Sequence, residues 1–201
     1  MANQTPAAPS SQPRRQSSSL LRIIAIILLS LIILVGLAVL IIWLSVKPRK
    51  LIYTIESASI HNYNLSHDLL NATFDFELRA YNPNTKLSIY YDRIETKVTY
   101  DDTTLAFNNL PPFYQPRKNV TRLGLNLVSK DVVLFPGISK NLRMEKNSGE
   151  IEVEVRVKAK VRFKVGIWKS NHRTLKLLCA PIMVHVSSSK IFDRTYCDID
   201  L

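Results

Sequence analysis

Residues 23–46 run for 24 positions without a charged side chain, and most of them are Ile, Leu or Val. As a helix this stretch rises about 36 Å at roughly 1.5 Å per residue, enough to cross a hydrocarbon core of about 30 Å with slack for tilt. A bilayer is therefore one of the chain's two solvents. A cleavable signal needs only about 7–15 apolar residues before a small-residue cut site, so the length here points to an uncleaved single span. Trp43, Lys47, Pro48 and Arg49 mark its far end in the manner of an interfacial anchor. No second apolar run of that length follows, and one crossing is expected.

The span divides the chain unevenly. Residues 1–22 are rich in Ser, Gln and Pro, carry Arg14, Arg15 and Arg22 and no acid, and predict a disordered tail. Residues 47–201 suffice for one domain. They hold all 16 acidic residues and 24 of the 27 Lys and Arg, leaving a balance of +8. Such a surface favours anionic partners: lipid head groups, acidic polysaccharide or nucleic acid.

The positive-inside rule does not orient the span, because Arg14, Arg15 and Arg22 on one flank match Lys47, Arg49 and Lys50 on the other. Acceptor triplets for glycosylation begin at Asn64, Asn71 and Asn119, all after the span. Asn3-Gln4-Thr5 in the tail shows how cheaply such triplets arise. Cys179 and Cys197 are the two cysteines. They are either a bridge suited to an oxidising lumen, worth about 3 kcal/mol for an 18-residue spacing, or two reduced core thiols. Together these features place residues 1–22 in the cytosol and the domain outside, the reverse being the weaker alternative.

Beyond the span the pattern is strand alternation. Phe74, Phe76, Leu78 and Ala80 alternate with polar residues over 73–80, and Asn82-Pro83-Asn84 ends that strand as a turn. Residues 87–100 resume it, with Tyr90-Tyr91-Asp92 breaking the alternation as a bulge does. Residues 108–115, with Pro111-Pro112, read as a loop. Residues 119–128 read as strand, with room for a helical turn within 123–135. The clearest signal is 150–166, where Ile151, Val153, Val155, Val157, Ala159, Val161, Phe163 and Val165 face one way and charges the other. That length exceeds the usual strand of about 5–6 residues and predicts a bend or a handover between sheets. Residues 173–179 and 182–186 supply the last strands. About seven strands and no helix beyond the span predict an all-β fold, an antiparallel β-sandwich.

Enzymatic chemistry finds little support. His61, His67, His172 and His185 lack metal-ligand spacing, and His61 and His67 with Asp68 read as solvated loop residues. Asp101-Asp102 reads as a turn, and neither a nucleophile elbow nor a phosphate-cradling glycine loop is present. No enzyme activity, metal or cofactor is expected. Arg156, Lys158, Lys160, Arg162 and Lys164 share one strand face about 6.5–7 Å apart. They form a candidate dock for anionic lipid or acidic wall polysaccharide. The plainer alternatives are a solvated face relieved by acids on neighbouring strands, Asp75 and Glu77 among them, or protection of an edge strand. Nucleic acid is not expected, since a lumenal domain does not meet it.

Asn82-Pro83-Asn84, followed after four residues by Ile89-Tyr90-Tyr91-Asp92, resembles the first signature of the plant non-race-specific disease resistance / harpin-induced-like proteins, the NHL family. Pro112-Phe113-Tyr114-Gln115 with Lys118-Asn119 and Thr121 resembles the second. Val161-Arg162-Phe163-Lys164-Val165-Gly166 with Lys169 and His172 resembles the third, and Cys179 with Cys197-Asp198 fits the family's cysteine ending. The resemblance covers essentially the whole chain. It implies a late-embryogenesis-abundant group 2 domain, a fibronectin-III-like β-sandwich anchored at the plasma membrane, tied to pathogen and abiotic stress responses without catalysis. A C-terminal lipid anchor does not transfer, because residues 194–201 lack the hydrophobic tail it requires. The motif residues themselves identify a fold more than a site. Two functions follow as expectations: contact of an external domain with wall material, lipid or a membrane receptor, or a lipid-handling module with an acyl cavity between its sheets. A packed core with a charged face favours the first, an elongated apolar cavity the second.

Overall fold

Alternation along β2 (Leu69–Asn82) and β7 (Glu150–Val165) decides which side of each strand leaves water. The computed structural model describes residues 17–46, 49–185 and 192–200. The first 16 residues of the expected tail, the side chain of Trp43, and Lys47, Pro48 and Val186 lie outside the described residues.

Helix α1 (Ser17–Val46) begins six residues before the apolar run. Its stretch Ser19–Ile41 buries nothing within the protein and is long and apolar enough to cross a membrane. An all-round apolar helix of this kind is not stable facing water. The rest of the chain forms a separate unit.

That unit is the expected β-sandwich, with ten strands rather than seven: β1 (Ile52–Ser66), β2, β3 (Leu87–Tyr100), β4 (Thr103–Leu110), β5 (Phe113–Gln115), β6 (Asn119–Val133), β7, β8 (Trp168–Lys169), β9 (Arg173–His185) and β10 (Thr195–Asp200). All pairings are antiparallel, in the order β4-β3-β7-β9-β10-β1-β2-β6, with β5 on β3 and β8 on β7. The handover between sheets falls to β10, not β7. β10 pairs β9 from Cys197–Cys179 to Asp200–Lys176, then touches β1 only at Thr54–Tyr196 and Ile55–Thr195. β7 stays in one sheet, and register shifts opposite Tyr91/Arg93 and at Val153/Val155 absorb its irregularity. On the opposite side β4 and β6 meet through side chains: Ser129 Oγ donates to the Leu105 carbonyl, and Asn108 Nδ2 to the Asn126 carbonyl at 2.7 Å. The sandwich is thereby nearly a barrel.

The turn expected at Asp101-Asp102 is present, with φ of 46° and 57°, and His67-Asp68 closes the β1–β2 hairpin with 51° and 63°. These are the left-handed values that two-residue hairpins require. The expected loop over 108–115 is instead strand on both sides of Pro111-Pro112. The segment reserved for a helical turn is β6, and the helix follows it as α2 (Pro136–Ser148). Pro136 sets its start, and Gly149 (φ 90°) caps its end by donating to the Glu145 and Lys146 carbonyls, 3.1 Å each. Only Ile138, Ser139 and Leu142 are buried on it, too few positions for a helical period to show in the sequence.

Candidate functional site

The basic row lies where alternation placed it: Val153, Val155, Val157, Ala159 and Val161 are buried, and Arg156, Lys158 and Lys160 are exposed between them. Its surroundings differ from expectation. β7 is flanked by β3 and β9, so edge protection does not account for the charges. Asp75 and Glu77 belong to β2 on the other sheet, where Asp75 accepts from Asn126 and Glu77 lies 3.4 Å from Arg122. Alternation identifies a face but not its neighbours. The acids that meet the row are Asp102 and Glu154, each 2.7 Å from Arg156, and Asp92, which pairs with Arg162 through both carboxylate oxygens.

A bulge brings Asp92 there. Tyr91 and Ile94 both point into the core, so Asp92 and Arg93 both face out. Hydrogen bonding from Arg162 holds the Asp92 carboxyl below its usual value and raises the guanidinium, with His172 3.3 Å from Asp92 adding to the pull. Arg162 and Lys169 also lie over the Tyr90 ring, at 5.6 and 4.9 Å.

Lys158, Lys160 and Lys164 have no ion pair among the described residues. The register sets Arg156 opposite Lys97, Lys158 opposite Lys176, and Lys160 opposite Arg93. Like charges directly opposite are destabilising. Glu95, directly opposite Lys158 on β3, is drawn to Arg93 at 3.0 Å, and Lys176 to Asp200 at 2.9 Å. A groove of about 560 Å³ runs over this face, with Lys97, Arg156, Lys158 and Lys176 on it, Leu178 adding apolar surface, Glu95 on its β3 side and Asp198 and Asp200 on its β10 side.

The first two signatures form a buried polar cluster instead of an open site. Asn82 Nδ2 donates to the carbonyls of Leu87 (2.8 Å) and Pro116 (3.0 Å), and its Oδ1 accepts from the backbone and side-chain amides of Asn84, both at 3.0 Å. Pro83 carries the chain between them out of the sheet. Asn84 in turn grips the backbone of Arg49, accepting its N–H (2.6 Å) and donating to its carbonyl (2.9 Å). Tyr91 stacks on Phe113 at 4.3 Å, donates to Gln115 Oε1 at 3.0 Å and shares a hydroxyl hydrogen bond with Tyr53. Burial raises the phenol pKa of both tyrosines. Gln115 Nε2 donates to the Ala80 carbonyl at 2.8 Å. The clamp on Arg49 joins residues 35 apart and has no local sequence signal.

Of the glycosylation candidates, Asn64 is exposed, near the β1–β2 hairpin opposite Asn71. Asn71 is half-buried, its amide bonded both to the Asp131 carboxylate and from the Asp131 N–H at 2.9 Å. Asn119 is half-buried and stands opposite Asn82. Cys179 and Cys197 are joined by a disulfide between β9 and β10. Among the described residues no group of His, Cys, Asp and Glu is arranged to hold a metal ion. Ile167 and Trp168, which no motif or alternation singles out, protrude from the β7–β8 hairpin after the third signature; an apolar pair within a run of cations is their signal in the sequence.

Between the sheets the cavity bounded by Tyr53, Leu78, Tyr91, Ile94 and Phe113 amounts to about 10 Å³, at the lower limit for one water.

The profile of the late embryogenesis abundant protein family, group 2, matches residues 77–179, just over half the chain. An uncharacterized protein of Arabidopsis thaliana is 39% identical, over 92% of this chain and 84% of its own length. NDR1/HIN1-like protein 3 of the same plant is 33% identical over 90% and 80%, and NDR1/HIN1-like protein 10 is 31% identical over 92% and 85%. With the signatures in place in the fold, the chain belongs to the NDR1/HIN1-like (NHL) family and carries a late-embryogenesis-abundant group 2 domain.

Proposed function

We propose that this chain is a non-catalytic, single-pass plasma-membrane protein of plant defence and abiotic stress response. Its sandwich stands outside the cell and binds an acidic cell-wall polysaccharide through the outer face of β3, β7 and β9. The names of its relatives support the biological setting, and α1 supplies an anchor of sufficient length. One observation carries the binding reading: Lys158 and Lys160 have no ion pair among the described residues though they sit in the middle of a sheet, with Lys176 and Arg93 directly opposite and Glu95, the β3 neighbour of Lys158, drawn to Arg93 instead. A polymer with regularly placed carboxylates relieves that repulsion along the strand direction. The packed interior supports surface contact over carriage of an acyl chain within the sandwich.

The test is retention of the full-length protein on immobilised pectate. The double variant Lys158→Glu, Lys160→Glu is expected to lose most of its retention, and wild-type retention to fall as salt rises. Both side chains are exposed and have no ion pair among the described residues, so the fold is expected to survive. Retention unchanged by the double reversal would refute this binding face.

A further inference from the structure

The β7–β8 hairpin turns through Gly166 and Ile167, with Val165 paired to Trp168. Gly166 has φ of 59°, as the first position of such a turn demands. The second position is ordinarily polar or Gly, yet here Ile167 is fully exposed, and Trp168 beside it is 61% exposed. Neither side chain contributes to the core, so folding does not explain them.

Their position in the sandwich is informative. Val165 pairs with Leu87, and Leu87 accepts a hydrogen bond from Asn82, within the cluster through which Asn84 holds Arg49. Arg49 follows Val46, the last residue of α1, by three peptide steps, at most about 11 Å of chain. The hairpin tip is thus at the end of the sandwich where the chain departs toward α1. The segments gathered at this end, residues 49–55, 83–91, 111–120 and 163–173, contain no Asp or Glu, and the acids that border them are already paired, Glu56 with Arg79 and Arg122 and Asp92 with Arg162 and His172. These segments contribute Arg49, Lys50, Arg117, Lys118, Lys164 and Lys169, among other cations.

We infer that this end is a membrane-contacting surface: Ile167 and Trp168 enter the interfacial layer of the bilayer that α1 crosses, and the surrounding cations rest on anionic phospholipid head groups. Tryptophan suits that layer, with an apolar body and an N–H that reaches water or phosphate. Basic residues beside an exposed apolar pair form the combination by which peripheral elements hold anionic bilayers. The inference rests on α1 being a membrane anchor, and it concerns a different surface from the polysaccharide face.

The chain has two tryptophans, Trp43 in α1 and Trp168 in the hairpin. Each becomes a single reporter in the full-length protein, through Trp43→Phe or Trp168→Phe, reconstituted in nanodiscs of phosphatidylcholine with or without phosphatidylserine. Brominated lipids are expected to quench both. Trp168 quenching is expected to be about twofold stronger with phosphatidylserine present, and Lys50→Glu with Arg117→Glu should remove that difference. Trp43 quenched while Trp168 stays open to aqueous iodide would overturn the inference and leave the anchor standing. Trp43 unquenched by lipid would overturn the anchor and the inference with it.

Discussion

Replacing Asn82 by Ala tests whether the first signature is a structural clamp. Asn82 is fully buried and its amide makes four hydrogen bonds, two donated and two accepted. Truncation leaves the backbone N–H of Asn84, itself 3% exposed, without its acceptor, at about 1–3 kcal/mol. The carbonyls of Leu87 and Pro116 each lose a neutral hydrogen bond of about 0.5–1.5 kcal/mol net. Asn84 Nδ2 keeps its bond to Arg49 and adds little to the loss. The expected destabilisation is about 3–5 kcal/mol, a large share of the roughly 5–15 kcal/mol that holds a domain together. With a urea dependence of about 1–3 kcal/mol per molar, the midpoint drops by about 2 M. The assay is urea titration of the full-length protein in detergent micelles, followed by near-ultraviolet circular dichroism of its tyrosines. Asn108→Ala is the control: its amide donates one bond to the Asn126 carbonyl and accepts one from the Asn109 N–H, both exposed to water, and its loss is expected to cost under about 1 kcal/mol. Asn82→Asp keeps the size but loses both donated bonds and puts a charge in a closed site, so it should cost at least as much as Ala. An Asn82→Ala midpoint no lower than that of Asn108→Ala would refute the clamp.

Two further outcomes follow from the pairings. The Asp92 carboxyl is held below its ordinary value when folded, so its contribution is present above about pH 4 and is lost as pH falls through the depressed folded value. Asp92→Asn should therefore cost about 1 kcal/mol at neutral pH, with the gap to wild type closing in acid; a gap independent of pH would exclude the Arg162 pairing as its source. For a domain outside the cell, as proposed, Asn64 is the expected glycan carrier, because it is exposed whereas Asn119 is half-buried and Asn71 is half-buried with both side-chain atoms bonded to Asp131. Asn64→Gln should abolish the glycosidase-sensitive mobility shift of the plant-expressed protein, and a wild-type protein with no such shift would contradict the outward orientation.

Face assignment was legible in the sequence wherever a strand was long and one of its sides was aliphatic, as in β2 and β7. The bulge at Tyr91–Arg93 was legible as well, because one outward residue too many interrupts an otherwise regular period. Partners across the sheet were not, since register depends on strands far apart in sequence. Asp92 rather than Asp75 or Glu77 neutralises part of the basic row because β3, and not β2, lies beside β7. β10 escaped notice for another reason. It is six residues long, and only Cys197 and Ile199 pack against the core among exposed acids. The turn at Asn82-Pro83-Asn84 was legible from its composition, whereas its grip on Arg49 is a tertiary fact.

The two proposed surfaces are compatible because they differ in direction. The unpaired lysines run along β7 on the flat of a sheet, with alternate residues about 6.5–7 Å apart, a spacing that suits an extended polymer. Ile167 and Trp168 instead project from the end of that same strand, one turn beyond Val165. A bilayer meeting the end leaves the sheet face open to the side, so one domain can rest on lipid and hold a wall polymer at once. Because Asn84 ties the tether at Arg49 to this end, chain connectivity favours lipid at the hairpin over lipid at the sheet face. The separation is open to test by exchanging the perturbations. Lys158→Glu with Lys160→Glu should leave lipid quenching of Trp168 unchanged, and Lys50→Glu with Arg117→Glu should leave pectate retention largely intact. If either pair of reversals removed both activities, the charges would be acting as one diffuse field rather than as two sites.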